Sequence, residues 1–174
     1  MFTIGHSTRS LDELLGLLRE NGVELLADIR RYPGSRRYPH FSSESLATAL
    51  PEHGIAYVHM PELGGRRKPR PDSPNGAWRN EQFRGYADYM GTAAFHEAVD
   101  RLLAFPEAAA VMCAEAVPWR CHRNLVADDL LRRGIPVLHI LGAHSVQEHQ
   151  MNPHARIDGN QVIYPASYNL QLIP

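Results

Sequence analysis

The chain has one lysine, Lys68, and two cysteines, and it contains no run of about eighteen apolar residues. The missing run argues against a membrane-spanning helix. The start MFTIGHSTRS lacks the basic region and apolar stretch of an export signal, so the expected compartment is the cytoplasm, with no membrane partner. In a reducing compartment, two cysteines separated by only seven residues make a poor structural staple; such a pair is more often catalytic, metal-binding or buried. An excess of charge of either sign is also missing. A net charge of −1 excludes a strongly basic nucleic-acid protein as a whole, although nine of the eighteen cationic residues lie between Arg30 and Arg79. No repeat or low-complexity block interrupts the chain. With 44% hydrophobic and 21% charged residues over 174 positions, it is expected to fold as a single domain over residues 1–174.

Apolar spacing gives the elements. Phe2 and Ile4 read as a short strand running into a turn at Gly5, and Ser10 with Glu13 forms a capping box for a helix whose leucines at 11, 14, 15 and 18 share a face. VELLADI is a continuous apolar run of strand length, as in a strand covered on both sides. A loop rich in Pro, Gly and Ser leads to a short helix near Glu44 to Leu50, closed by Pro51 and Gly54, and IAYVHM is a third strand. PELGGRRKPRPDSPNGAW then excludes regular structure and is expected to be mobile until liganded. Helices follow over EQFRGYADYM and TAAFHEAVDRLLAF, a strand at AAAVMC, a helix at NLVADDLLRRG and a strand at IPVLHIL. The Asp158-Gly159 pair predicts a final hairpin. The pattern predicts a three-layer α/β fold: a mostly parallel central sheet of about five strands, helices on both faces, and a C-terminal hairpin.

In such sheets ligands sit beyond the carboxyl ends of the strands. Polar residues or glycines stand at each of the first four exits: Gly5, His6 and Ser7; Asp28 and Arg30; Glu62, Gly64, Gly65 and Arg66; Cys113 and Glu115. Their convergence is the main functional signal. Arg30, Ser35 and Arg66, with Ser7, Asp28, Gly64, Gly65, Cys113 and Arg123, make up the expected anion or substrate site. Guanidinium groups bind phosphate bidentately, and glycines let backbone amides come close. The bland alternative ties Asp28 and Arg30 to each other, or to Glu62 and Glu115, as ordinary ion pairs.

The stretch VMCAEAVPWRCHRN supplies the expected catalytic groups. Cys121 and His122 fall at the start of a helix, where free amides and the helix dipole stabilise a thiolate, and Arg120 and Arg123 would strengthen that effect. His6, Glu115 and His122 are the acid/base candidates, and Cys121 is the likelier nucleophile. A cysteine-dependent phosphatase or sulfurtransferase loop is a competing reading. Those loops return an arginine six residues after the cysteine, whereas Cys113 to Arg120 is seven. A metal site from Cys113, Glu115, Cys121, His122 and His6 is chemically possible, but the long cysteine spacing argues against it, and neither metal nor cofactor is expected. The histidines at 139, 144, 149 and 154 share no helical face and read as incidental surface groups. The basic run GGRRKPRP, with Tyr32, Tyr38, Phe41 and Trp78 for stacking, leaves nucleic acid open as the phosphate-bearing partner.

TIGHS, DIRRYPGS, LGG, MCAEAVPWRCHR and VLHI, in this order from Thr3 to Ile140, resemble the bacterial and archaeal family catalogued as domain of unknown function 488. The resemblance implies a compact α/β domain with signature positions Gly5, His6, Ser7, Asp28, Arg30, Pro33, Ser35, Gly64, Gly65, Cys113, Glu115, Pro118, Cys121, His122 and Arg123, and brings no established activity. The expected function is an enzyme, of hydrolase or transferase type, binding a phosphate-bearing small molecule, nucleotide or nucleic-acid end at the strand termini. A noncatalytic nucleic-acid or nucleotide binding module is the alternative.

Overall fold

A computed structural model describes residues 1–34 and 37–166. Among these residues eight strands and five α-helices follow in order: β1 (Phe2–Gly5), α1 (Leu11–Glu20), β2 (Leu25–Asp28), α2 (Ser43–Glu52), β3 (Ala56–His59), α3 (Glu81–Met90), α4 (Ala93–Leu103), β4 (Ala109–Cys113), α5 (Arg123–Arg132), β5 (Leu138–Gly142), β6 (Ser145–Glu148), β7 (Arg156–Asp158) and β8 (Gln161–Ile163). The first six strands form one sheet in the order β3-β2-β4-β1-β5-β6; all its pairs are parallel except β5 with β6. The predicted hairpin is present as β7-β8.

Strand alternation sorts the core into two layers. Leu25, Ala27, Ala109, Val111 and Cys113 face the layer of α3, α4 and α5, while Ile4, Leu26, Ala110 and Met112 face α1 and α2. Each fully buried leucine contributes about 1.5–3 kcal/mol, and the α1/α2 layer buries Leu14, Leu18, Leu46 and Leu50 completely. The Ser10–Glu13 capping box forms as predicted, with Glu13 N donating to Ser10 Oγ at 3.1 Å and Ser10 N to Glu13 Oε2 at 2.6 Å. Pro51 lies inside the last turn of α2, one residue beyond the predicted stop.

β1 and β4 are neighbours whose following helices pack on opposite layers; the chains stay paired just past the strands, with Ser7 N donating to Ala114 O at 2.8 Å, and the crevice lies beyond that pairing at the carboxyl ends. That crevice is where the candidate site lies.

Three readings change. The main sheet has six strands because β6 folds back on β5, a short and exposed strand with no apolar alternation to reveal it. His139 and His149 are buried, not incidental: Thr3 Oγ1 lies 2.6 Å from His139 Nδ1, His139 Nε2 lies 3.0 Å from His149 Nδ1, and His149 Nε2 lies 2.8 Å from Asp128 Oδ1. The loop after β3 is pinned by buried Asp88, which accepts hydrogen bonds from Arg70 N (2.7 Å), Ser73 Oγ (2.5 Å) and Asn75 Nδ2 (2.8 Å).

Candidate functional site at the strand termini

The crevice has two adjoining lobes. A larger one, about 690 Å³, is lined by His6, Ser7, Thr8, Tyr38, Val117 and Trp119 among others, and lies on the α1/α2 side. A smaller one, about 380 Å³, is lined by Arg31, Gly65, Arg66, Phe83, Cys121 and His122 among others, and lies on the α3–α5 side. Arg30, Tyr32, Ala114, Glu115 and Arg120 border both.

The wall between β1 and β2 is a fixed polar network. Asp28, fully buried, accepts Arg30 Nε at Oδ1 (2.8 Å) and both Arg30 Nη2 (2.5 Å) and the Tyr57 hydroxyl (2.9 Å) at Oδ2. Arg30 Nη2 also donates to Phe41 O at 2.7 Å, and Nη1 meets His6 Nε2 at 3.1 Å. The ion pair foreseen as the bland alternative is therefore present, and most of the Arg30 charge is answered by Asp28. A guanidinium only donates, so His6 Nε2 must accept and its proton sits on Nδ1, 3.0 Å from Ser7 O. Burial, then the neighbouring Arg30, pushes the His6 pKa down to about 4. His6 is thus neutral at neutral pH, with its lone pair already engaged. It is a positioned wall of the crevice and holds no proton on Nε2 to donate as a general acid.

The wall from β4 is tied down by Arg123. Its Nη1 donates to Glu115 O at 2.5 Å and its Nη2 to Ala116 O at 2.9 Å, and the residue is fully buried. Arg123 lines neither lobe, so it shapes the loop and does not reach a ligand. Gly64 is likewise structural: a Cβ there would lie 2.8 Å from Arg31 Cβ and from Pro61 O. Gly65 lines the smaller lobe, where a Cβ would lie 2.9 Å from His122 Nδ1. Ser7 (φ 50°) and Arg66 (φ 61°) hold left-handed backbone at the crevice rim, a conformation that non-glycine residues keep only where their surroundings impose it.

Glu115 is exposed at the border between the lobes, and among the described residues it forms no ion pair and no side-chain hydrogen bond. Arg120 stands beside it, also exposed and without a carboxylate partner among those residues. Tyr32 (65% exposed) and Trp119 (58% exposed) present rings at the mouth, and the guanidinium carbons of Arg31 and Arg66 lie 5.6 and 5.7 Å from the Tyr32 centroid.

Cys113 and Cys121 are joined as half-cystines with Cα atoms 7.4 Å apart, an arrangement their spacing did not suggest. Cys121 is buried at the start of α5, and its sulfur accepts Arg123 N at 3.5 Å, as expected of a thiol placed to be stabilised by a helix start. In this paired state neither sulfur is a nucleophile. Burial chiefly holds the His122 pKa down at about 4, and its ring packs at a tilt against Tyr86, with centroids 4.9 Å apart.

The structure thus gathers His6, Ser7, Arg30, Gly65, Arg66, Cys113, Glu115, Cys121 and His122 around one crevice. Asp28, Gly64 and Arg123 stand behind it, and Ser35 lies outside the described residues. Arg31, Trp119 and Arg120 were not singled out as ligand contacts. The signal available for them was their position directly beside the polar motifs. Of the stacking candidates Tyr32 is exposed, whereas Phe41 is core and Trp78 packs between Phe83 (5.0 Å) and Tyr164 (5.4 Å).

No helix among the described residues is long and apolar enough to cross a membrane. Comparisons with curated proteins and with solved structures each found no significant match. A family profile does match, over residues 10–130 and so over most of the chain, and the protein belongs to that family, Domain of unknown function DUF488.

Proposed function

We propose that the crevice binds a phosphate-bearing ligand of nucleotide size, or the end of a nucleic-acid strand, and that the protein is an enzyme acting on it. The observation that carries this reading is the border between the lobes. There a carboxylate, Glu115, and a guanidinium, Arg120, neither of them ion-paired among the described residues, line the crevice together with the exposed rings of Tyr32 and Trp119. Arg120, Arg31 and Arg66 offer bidentate donors to phosphate oxygens, and Tyr32 and Trp119 offer faces for a planar base. Glu115 is the general acid or base. His6 carries no proton toward the crevice, and the His6–Arg30–Asp28 network keeps that wall rigid, which favours a preorganised site. Cys121 joins the chemistry only as a reduced thiol, and the seven-residue step from Cys113 to Arg120 leaves a phosphatase-type cysteine loop the least supported alternative.

A noncatalytic nucleic-acid binding module is the second reading, favoured specifically by the packing of Arg31 and Arg66 against the exposed Tyr32 ring, with Trp119 exposed on the same crevice. Titration calorimetry with nucleoside mono-, di- and triphosphates and with a short single strand separates the readings. The enzyme reading expects saturable binding of a mononucleotide with mild salt dependence, weakened about tenfold or more by Arg120→Ala, and a turnover lost in Glu115→Gln while binding stays. Binding confined to the strand and falling steeply with salt would favour the module. Binding of neither class would overturn both.

A further inference from the structure

The fold supplies what the C-x7-C spacing lacks. The sulfurs of Cys113 and Cys121 and a ring nitrogen of His122 lie within 4.8 Å of one another, on the floor of the smaller lobe. We propose that these three residues, with both sulfurs reduced, form a zinc-binding site whose fourth position opens into that lobe.

Three observations support the site independently of the nucleotide reading. The donor set, two thiolates and one imidazole, is the soft, mixed set that favours Zn²⁺. A tetrahedral Zn²⁺ with bonds of about 2.3 Å to sulfur and about 2.0 Å to nitrogen needs ligand atoms roughly 3.5–3.8 Å apart. His122 Nδ1 is already 3.7 Å from Cys121 Sγ. The Cα separation of 7.4 Å between the cysteines lies beyond the range of about 4.4–6.8 Å that a relaxed disulfide spans, so the backbone leaves room for two sulfurs with an ion between them.

The surroundings fit ligation as well. His122 Nε2 is buried with no aligned hydrogen-bond partner, while the ring faces the backbone oxygens of Ile29 and Leu63. Coordination through Nδ1 would fix the proton on Nε2, where those oxygens can take it, the usual support of a ligating histidine. Arg123 N already donates to Cys121 Sγ, a bond that stabilises thiolate. Gly65 keeps the Nδ1 side open, since any Cβ there would press against that atom at 2.9 Å. Two thiolates would neutralise the dication, so the occupied site would bury no net charge.

The test uses the full chain, reduced and made metal-free under anaerobic conditions, titrated with Co²⁺ and then Zn²⁺. The expected result is one Co²⁺ per chain with thiolate-to-cobalt charge-transfer absorption and tetrahedral visible bands, both abolished by one equivalent of Zn²⁺. His122→Gln should alter the visible bands and weaken binding at least tenfold, and Cys121→Ser should remove most of the charge-transfer intensity. Gly65→Ala, which leaves every ligand in place, should also weaken binding. Two titratable thiols with no stoichiometric Co²⁺ spectrum would overturn the proposal, as would a pair that cannot be reduced in the folded chain or a His122→Gln spectrum identical to wild type. Nucleotide binding is measured separately and bears on neither outcome.

Discussion

Gly5 and Gly16 differ only in what surrounds them. A Cβ at Gly5 would sit 1.7 Å from Glu115 O, because the exit of β1 presses against the loop after β4; a Cβ at Gly16, on the exposed side of α1, meets nothing within 4 Å. The same substitution therefore has opposite signs at the two positions. Gly16→Ala removes backbone freedom from the unfolded chain in a helix interior and should stabilise by about 0.5–1 kcal/mol. Gly5→Ala forces two backbones apart with no flexible side chain to yield, and should cost more than the roughly 1–3 kcal/mol typical of overpacking. It should also disturb the crevice, since the displaced carbonyl is the one Arg123 grips. Urea unfolding of both variants checks the pair; a Gly5→Ala chain as stable as wild type would mean that the two loops do not meet as described. The reason was hidden at the level of sequence, where Gly5 read only as a turn residue beside a polar motif.

At the level of elements, the segment after β3 shows how far composition can mislead. Its prolines and glycines exclude strand and α-helix, but Pro61–Leu63 forms a 3-10 turn where no regular structure is expected, and one buried carboxylate on α3 fixes the course of the rest. Asp88 gathers three donors from residues 70–75, and Asn75 in turn accepts Tyr164 N at 2.8 Å. Asp88→Ala leaves those donors without their acceptor and should cost about 3 kcal/mol, given 1.5–3 kcal/mol per hydrogen bond to a charged group and partial rescue by water. Because Gly65 and Arg66 at the start of the segment line the smaller lobe, ligand affinity should fall too. Hydrogen exchange at the Arg70 amide should accelerate many-fold while the β1 and β4 amides stay protected; unchanged exchange would show that Asp88 does not hold the loop. Strands and helices with strong apolar periodicity were legible, as were the capping box, the Asp158-Gly159 hairpin and the gathering of polar residues at the strand exits. What escaped were relations across the sheet: β6, whose exposed residues carry no pattern, the pairing of Cys113 with Cys121, and the use of Arg123 and Gly64 as internal supports. Such relations depend on which strands become neighbours, which local spacing does not encode.

For the whole molecule, the histidines set the pH behaviour. His6, His122 and His139 are each pushed down to about pKa 4, in every case first by burial; the next contribution is Arg30 for His6 and His149 for His139, while for His122 backbone oxygens partly oppose the shift. Neutral rings can satisfy the hydrogen bonds in one continuous order: Asp128 Oδ1 accepting from His149 Nε2–H, His149 Nδ1 from His139 Nε2–H, and His139 Nδ1 from the Thr3 hydroxyl. Tyr164 OH completes the chain by donating to Asp128 Oδ2 at 2.7 Å. In the unfolded chain the same imidazoles titrate near 6.5. Above about pH 7 neither state binds the proton and stability is level. As pH falls from 6.5 toward 4 the unfolded chain takes up protons that the fold refuses, so stability must fall, by at most about 1.4 kcal/mol per pH unit for each histidine. Urea titrations at pH 7.5, 6.5, 5.5 and 5.0, a window chosen above the range of about pH 4 where carboxylates protonate, measure the slope. The His139→Gln chain should be less stable at pH 7.5 but lose less on acidification, because one of the three groups no longer titrates. A stability that stays level or rises between pH 6.5 and 5.0 would mean that these rings are charged or open to water, and the buried relay between β1, β5 and α5 would have to be abandoned.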